Sequence, residues 1–88
     1  MYTLYIRPSL DKKLKKLSKK NKKQFEIIMK KSEEIIQDPH HYKNLHAPLQ
    51  NLRRVHVDKS FVLTFSIDEK TNTVILEDFD HHDNIYRR

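Results

Sequence analysis

Hydrophobic residues recur with two different periods along the first part of the chain. Tyr2, Leu4 and Ile6 occupy every second position, which is the period of a half-buried strand that ends before Pro8. From residue 10 onward, leucines recur at helical spacing while lysines cover the other faces. The pattern therefore predicts a first strand and then a short amphipathic helix, with Ser9 as its N-cap.

A second helix is predicted directly after the first. Asn21 is a suitable N-cap for it, and the pair Asp38-Pro39 ends it because proline cannot continue a helix. The two helices are expected to form a hairpin. Residues 40–51 follow neither period and predict a loop. The apolar stripe of the second helix consists of Phe25, Ile28, Met29, Ser32, Ile35 and Ile36.

The period of two returns three times in the second half of the chain. It predicts strands at residues 53–57, 61–67 and 73–79, joined by turns at residues 58–60 and 68–72. Asp, Asn and Ser fill these turns, since the sequence contains no Gly. The order strand, two helices, three strands predicts an α+β fold in which the helical hairpin packs on one face of a three-stranded antiparallel meander.

The composition excludes several kinds of chemistry. A chain of 88 residues is expected to form one domain, residues 1–88. The absence of Gly excludes both the phosphate-binding P-loop and the dinucleotide fingerprint. The absence of Cys excludes disulfides, cysteine zinc sites and a thiol nucleophile. No cofactor is therefore expected, and the lack of a signal peptide or long apolar run predicts a cytoplasmic protein with no membrane partner.

The positive charge is concentrated near the start of the chain. The net charge is +6, but residues 1–31 hold 11 Lys or Arg against 2 Asp or Glu, whereas residues 32–88 hold 7 against 10. Such a basic segment attracts polyanions, of which RNA and DNA are the commonest. The alternative is a lysine-rich helix face that serves solubility only. The candidate RNA-binding residues are Lys12, Lys13, Lys16, Lys19, Lys20, Lys23 and Arg53.

The strand at residues 53–57 carries a candidate for phosphate chemistry. If Val55 and Val57 face the core, Arg54 and His56 lie together on the opposite face, which the helices leave open. Arg can bind a phosphate with two hydrogen bonds, and His can carry a proton near neutral pH. The alternative is an ordinary solvated face of a one-sided sheet.

The end of the last strand supplies a second set of candidates. If that strand pairs with residues 61–67, His82 approaches His56. Two histidines beside a phosphodiester can act as general base and general acid, with the ribose 2′-hydroxyl as nucleophile and no metal required. Tyr86 is a candidate for stacking on a base, and packing on the sheet edge is the alternative. His46 is a candidate for projecting toward the sheet from its loop, and an ordinary surface histidine is the alternative.

A metal site is the competing explanation for the six histidines. Adjacent histidines, as in the pairs His40-His41 and His81-His82, are expected to project in different directions. The sequence also lacks the HExxH motif and any Cys/His zinc spacing. No metal site is therefore predicted.

Nearly the whole chain resembles the RelE/ParE superfamily of toxins from toxin–antitoxin modules. The likeness includes the first strand, the lysine-rich hairpin ended by Asp38-Pro39, residues 49–57, and above all the closing stretch from His81 through Tyr86 to Arg87. Many members end with a His-Arg-x-x-Ile/Val-Tyr pattern there. The resemblance implies a RelE-like fold and a metal-free mRNA endoribonuclease that acts on translating ribosomes. It also implies a cognate antitoxin that silences the toxin in a heteromeric complex.

The resemblance assigns roles to individual residues. Arg54 and His56 fall where RelE-like toxins keep basic residues on their second strand, and Tyr86 falls on their terminal aromatic residue. The histidine-using YafQ-like branch is closer, because His56 and His82 align with two of its catalytic histidines and His46 lies near a third.

Two positions depart from the RelE branch. Val62 stands where that branch has an Arg, and His82 stands where many members have one. The resemblance therefore also admits a ParE-like toxin, which has the same fold without nuclease residues and inhibits DNA gyrase. A toxin that serves mainly as an antitoxin-bound corepressor is a third alternative.

Overall fold

A four-stranded sheet forms the frame of the molecule. The computed structural model describes residues 1–86, so Arg87 of the closing stretch lies outside the described residues. The strands follow one another across the sheet in the order β1-β4-β3-β2. The elements are β1 (Thr3–Ile6), α1 (Pro8–Lys20), α2 (Lys22–Gln37), a 3₁₀ turn (Pro39–His41), β2 (Arg53–Val57), β3 (Phe61–Asp68), β4 (Thr73–His81) and α3 (His82–Tyr86).

The predicted fold class is confirmed. Strands β2, β3 and β4 form the antiparallel meander, and the α1–α2 hairpin packs on one face of the sheet. The pattern did not predict that β1 lies parallel to β4 at the outer edge, with Thr3 opposite Thr73. It also did not predict α3. Within residues 1–86, no helix combines the length and apolar character that crossing a membrane requires.

A single residue joins the two helices of the hairpin. The backbone N–H of Asn21 donates to the carbonyl of Leu17 at 2.7 Å and so caps the end of α1. The side-chain oxygen of Asn21 accepts from the backbone N–H of Gln24 at 3.1 Å and so caps the start of α2. The predicted start of α2 is therefore confirmed.

The predicted start of α1 is wrong by two residues. The helix begins at Pro8, and Arg7 occupies the N-cap position without a side-chain hydrogen bond, so Ser9 lies inside the first turn. Proline is favoured at the first helical position because its fixed φ fits the helix and its missing N–H has no partner there in any case.

The main core lies between the helical hairpin and the sheet. Val55 and Val57 of β2 face it, which confirms the predicted phase of that strand. Leu10 and Leu14 of α1 are buried there, as the leucine spacing predicts. The other buried members are Ile28, Ile35, Leu63, Phe65, Val74, Leu76 and Phe79.

The opposite face of the sheet is covered in part, which corrects the expectation that it is open. Val62 of β3 is fully buried and packs against Leu45 and Ile85. Partly buried Leu49 and Leu52 extend this second cluster. The segment before β2 and the short helix α3 therefore cover apolar surface that the two long helices do not reach.

In the two turns of the meander, Asp and Asn occupy backbone positions that favour glycine. Asp58 and Asn72 have φ values of 55° and 50°, in the left-handed region. Asn and Asp tolerate this region better than other non-glycine residues because their short polar side chains can bond locally. The prediction that Asp and Asn replace Gly in these turns is confirmed.

One bulge in β4 places a carboxylate where two other elements reach it. Glu77 is the extra residue of the bulge, since Thr64 pairs with Asp78 while the next residue of β3 pairs with Leu76. Its carboxylate accepts from Arg7 Nε at 2.9 Å and from Ser66 Oγ at 2.6 Å. Glu77 thus ties the end of β1 to the centre of the sheet.

Candidate functional site

Strand β2 presents Arg54 and His56 on the same face, as the period of two predicts. In the sheet register they lie opposite Thr64 and Val62 of β3. His56 is exposed, whereas Arg54 is half-buried and its Nη1 donates to the carbonyl of Asn44 at 3.4 Å. A proton carrier therefore stands two residues from a cation whose direction is set by the neighbouring segment.

The segment before β2 adds two further groups to this pair. The backbone N–H of Arg54 donates to the carbonyl of Lys43 at 3.1 Å, and Asn44 forms an isolated bridge to Arg53. A surface cavity of about 290 Å³ results, lined by His41, Tyr42, Lys43, Arg54, Val55 and His56. The sequence pattern missed Lys43 and His41, because a residue in a loop without period carries no signal of the strand beside it.

The helix α3 carries the other two predicted residues of the closing stretch. The backbone N–H of His82 donates to the carbonyl of Ser60 at 2.8 Å, which fixes the start of α3 to the β2–β3 turn. Buried Ile85 anchors the helix, and Tyr86 remains exposed. His82 therefore lies at the same end of the sheet as His56, because Asp80, Val62 and His56 form one row across the three strands.

His46 and Tyr86 lie in a second cavity. It has a volume of about 220 Å³ and is lined by Leu45, His46, Ala47, Pro48, Leu49 and Tyr86. Four of the five predicted catalytic residues thus fall into an Arg54/His56 group on β2 and a His46/Tyr86 group beside α3, and the fifth, His82, is the first residue of α3. Buried Val62 and Ile85 belong to the apolar cluster that lies under this face.

Two histidines of the closing stretch lie side by side, which overturns the expectation that they diverge. The rings of His81 and His82 have centroids 4.5 Å apart and planes inclined by 32°. The chain changes from strand to helix between them, so the alternation of a strand no longer applies. Asp83 lies beside both rings, and we call these three residues the His81–Asp83 cluster.

Two of the predicted RNA-binding cations make contacts within the protein. Lys13 Nζ lies 2.9 Å from Asp78 Oδ1 and donates to the carbonyl of Phe79 at 3.0 Å. Arg53 Nη1 donates to the carbonyl of Tyr42 at 2.6 Å. The other predicted lysines of the hairpin are exposed, and they are Lys12, Lys16, Lys19, Lys20 and Lys23.

Comparisons with known proteins identify the family. A family described as "ParE-like toxin of type II bacterial toxin-antitoxin system" matches residues 4–88. This chain belongs to the RelE/ParE superfamily of toxins. The toxin is 62% identical over 88 residues to a protein of Methanocaldococcus jannaschii named "Putative toxin RelE4", a match that covers 100% of this chain and 94% of that protein. It is 63% identical over 86 residues to an uncharacterized protein of Methanosarcina mazei, which covers 98% of this chain and 100% of that protein.

Solved structures share the fold of this toxin. The toxin–antitoxin complex RelBE2 from Mycobacterium tuberculosis contains a chain with a TM-score of 0.76 and 20% identity, covering 91% of this toxin and 96% of that chain. The isolated RelE toxin of E. coli has a TM-score of 0.75 at 15% identity, covering 99% and 98%. YafQ from E. coli has a TM-score of 0.72 at 15% identity, covering 98% and 99%. These structures support the predicted RelE-like fold. The family match and the 62% identical relative confirm the predicted superfamily and the role as a toxin of a type II toxin–antitoxin system.

Proposed function

We propose that this toxin is an mRNA endoribonuclease that acts on translating ribosomes in the cytoplasm. The observation that carries the proposal is the cavity beside β2, where exposed His56 lies with Arg54 and Lys43. A phosphodiester bound there would meet two cations and a proton-transfer group together. The 62% identity to a protein named as a RelE toxin supports this assignment.

The proposed reaction needs no metal. One of His56 and His82 accepts the proton of the ribose 2′-hydroxyl, and the 2′-oxygen attacks the phosphorus. The bond from phosphorus to the 5′-oxygen breaks, and the other histidine donates a proton to that leaving oxygen. The products are a 2′,3′-cyclic phosphate and a 5′-hydroxyl end. Arg54 binds the scissile phosphate and stabilises the charge that develops on it.

The remaining candidates position the RNA. Tyr86 is exposed beside His46, and an exposed aromatic ring can stack on an unpaired base of the codon. The exposed lysines of the hairpin would contact ribosomal RNA phosphates, which gives affinity without sequence preference. The proposed partners are the ribosome, its mRNA and a cognate antitoxin, and the neighbouring fold in the RelBE2 toxin–antitoxin complex supports the last of these.

A ParE-like inhibitor of DNA gyrase is the second candidate. Two observations favour it: the matching family is described as ParE-like, and Val62 is a buried apolar residue where the RelE branch has a cation. A gyrase inhibitor does not require the Arg54, His56 and His82 group. The two candidates therefore differ in what those side chains contribute.

The test compares cleavage with gyrase inhibition in the same preparations. Purified toxin is incubated with programmed ribosomes and mRNA ends are mapped, while a supercoiling assay with gyrase runs in parallel. The double variant His56→Ala, His82→Ala is expected to lose cleavage by about 10²-fold or more while still binding ribosomes. The control is His40→Ala, an exposed histidine that pairs with Glu69.

The outcomes separate the two candidates. Cleavage by the wild type and the control, without an effect on gyrase, supports the nuclease. Unchanged cleavage in the double variant contradicts the proposed site. Inhibition of supercoiling without mRNA cleavage contradicts the nuclease and supports the ParE-like candidate.

A further inference from the structure

Three consecutive side chains converge at the junction of β4 and α3. Asp83 Oδ1 lies 2.9 Å from His82 Nδ1, and Asp83 Oδ2 lies 3.6 Å from His81 Nδ1. One potential ligand atom from each residue lies within 4.8 Å of the other two. The His81–Asp83 cluster therefore brings one potential ligand nitrogen from each of two imidazole rings close to a carboxylate.

These distances match the coordination sphere of a transition metal ion. Imidazole nitrogen and carboxylate oxygen bind zinc at about 2.0–2.2 Å, so two ligands of one ion are separated by about 3 Å. The distances from Asp83 to the two rings bracket that value. All three side chains are partly or fully solvent-accessible, so they can make the remaining adjustment and water can complete the coordination.

Contacts with neighbouring residues and one contact within the cluster hold its members in place. The hydrogen bond from the His82 N–H to Ser60 fixes the start of α3, and the ring of Phe61 packs against that of His81 with centroids 5.8 Å apart. The backbone N–H of Asp83 donates to His81 Nδ1 at 3.2 Å. This bond favours the tautomer in which Nδ1 carries no proton, and a metal ion that binds Nδ1 would displace the backbone N–H from its lone pair.

We infer that the His81–Asp83 cluster is a binding site for a divalent transition metal ion of the zinc type. Imidazole ligands select Zn²⁺, Ni²⁺ and Cu²⁺ over Mg²⁺, which prefers oxygen ligands. The ion is bound by His81, His82 and Asp83, with water in the remaining positions. The predicted absence of a metal site rested on the missing zinc motifs and on diverging histidines, and the side-by-side rings contradict the second of these grounds.

Metal binding also has a consequence for catalysis, and this consequence rests on the proposed function. A metal ion on His82 occupies a ring nitrogen and holds the imidazole in one position. Because the bound nitrogen cannot take up a proton, the His82 ring cannot alternate between its neutral and doubly protonated forms, as general acid–base catalysis requires. Zinc is therefore expected to inhibit mRNA cleavage, so the site would regulate the reaction and take no part in it.

Direct binding tests the site independently of cleavage. Full-length toxin without a histidine tag is titrated with ZnCl₂ in a calorimeter, and separately with MgCl₂. We expect one zinc ion per chain and no binding of magnesium. His81→Gln and Asp83→Asn should each weaken zinc binding by about tenfold or more, because each removes one ligand.

The other adjacent pair of histidines is the matched control. His40 Nε2 lies 2.7 Å from Glu69 Oε1, so the double variant His40→Gln, His41→Gln removes two histidines and one histidine–carboxylate contact. Its zinc affinity should equal that of the wild type. The site is overturned if His81→Gln and Asp83→Asn bind zinc as tightly as the wild type, or if the control loses as much affinity as they do.

Cleavage assays then separate the site from its effect. His81→Gln should cleave mRNA at the wild-type rate without zinc and should resist inhibition by zinc. If zinc binds to the wild type with the predicted dependence on residues and cleavage is unaffected, the site stands and the proposed role of His82 is wrong. If zinc does not bind, the site is overturned whatever the cleavage assay shows.

Discussion

A substitution of Lys13 can show whether this lysine stabilises the fold, unlike the exposed lysines around it. Its ammonium group contacts Asp78 and the carbonyl of Phe79, along the part of β4 that β1 no longer covers, since the β1 pairing ends at Leu76. The variant Lys13→Met keeps most of the side-chain volume and removes these bonds. A hydrogen bond to a charged group contributes about 1.5–3 kcal/mol when shielded. The Lys13 side chain is 46% exposed, so screening reduces the expected loss to about 1 kcal/mol.

The assay is thermal unfolding followed by circular dichroism at several pH values. At pH 7 the midpoint should fall by about 4–8 °C for a domain of this size. Asp80 lies 4.0 Å from Lys13 Nζ. Burial acts to raise the pKa of Asp80, but hydrogen bonds from Asn84 and from the backbone N–H of His81, together with Lys13, hold that pKa below its ordinary value.

The effect of Lys13→Met on stability should depend on pH. A carboxyl group with a lowered pKa stabilises the fold above its unfolded-state pKa, and this stabilisation is lost as the pH falls through the folded-state pKa. The difference in unfolding midpoint between the wild type and Lys13→Met should therefore shrink below about pH 4. Lys12→Met is the control, because within residues 1–86 the exposed Lys12 side chain makes no hydrogen bond or ion pair. Equal midpoints for the two variants at pH 7 would refute the structural role of Lys13.

Two further variants test the frame of the molecule. Burial acts to raise the pKa of Glu77, but hydrogen bonds from Arg7 and Ser66 outweigh burial, so the pKa is lowered. After allowance for screening, Glu77→Gln should reduce the free energy of unfolding by about 1.5 kcal/mol in urea at pH 7. That deficit should close as the pH falls below the folded-state pKa of the carboxyl group, and a deficit that persists in acid contradicts the reasoning. Asn72→Ala should reduce the free energy of unfolding by about 1 kcal/mol in the same assay, because alanine disfavours the left-handed region. Asn72→Gly should lack that penalty. Equal unfolding midpoints for these two variants would be inconsistent with the observed φ of 50°.

The main elements of the fold were predictable because burial repeats with the period of each element. Val55 and Val57 set the phase of β2, and Asn21 marked the junction of the helices. The parallel pairing of β1 with β4 was not predictable, since Thr3 and Thr73 pair across almost the whole chain without any local signal. Helix α3 has five residues, which is too short for a helical period to appear.

The candidate site was predictable only where side chains follow a strand. Period two places Arg54 and His56 on one face, but the alternation fails at His81, where the strand ends. Lys13 and Arg53 look like solvent-exposed cations in the sequence. Their partners lie far away along the chain or in the backbone of a loop, so only the tertiary structure distinguishes them from the exposed lysines.

The parallel pairing of β1 with β4 also determines when the four-stranded sheet can form during synthesis of the chain. The helical hairpin and the meander form between segments that are adjacent in the sequence. Strand β1 cannot pair until β4, which starts at Thr73, has been synthesised. A nascent chain that lacks this strand leaves β1 unpaired and β3 with an open edge, and unpaired edges promote association with other chains. Helix α3 follows β4 without a linker, so His82 and Tyr86 are synthesised after every strand of the sheet. The candidate site therefore remains incomplete until both β4 and α3 have been translated.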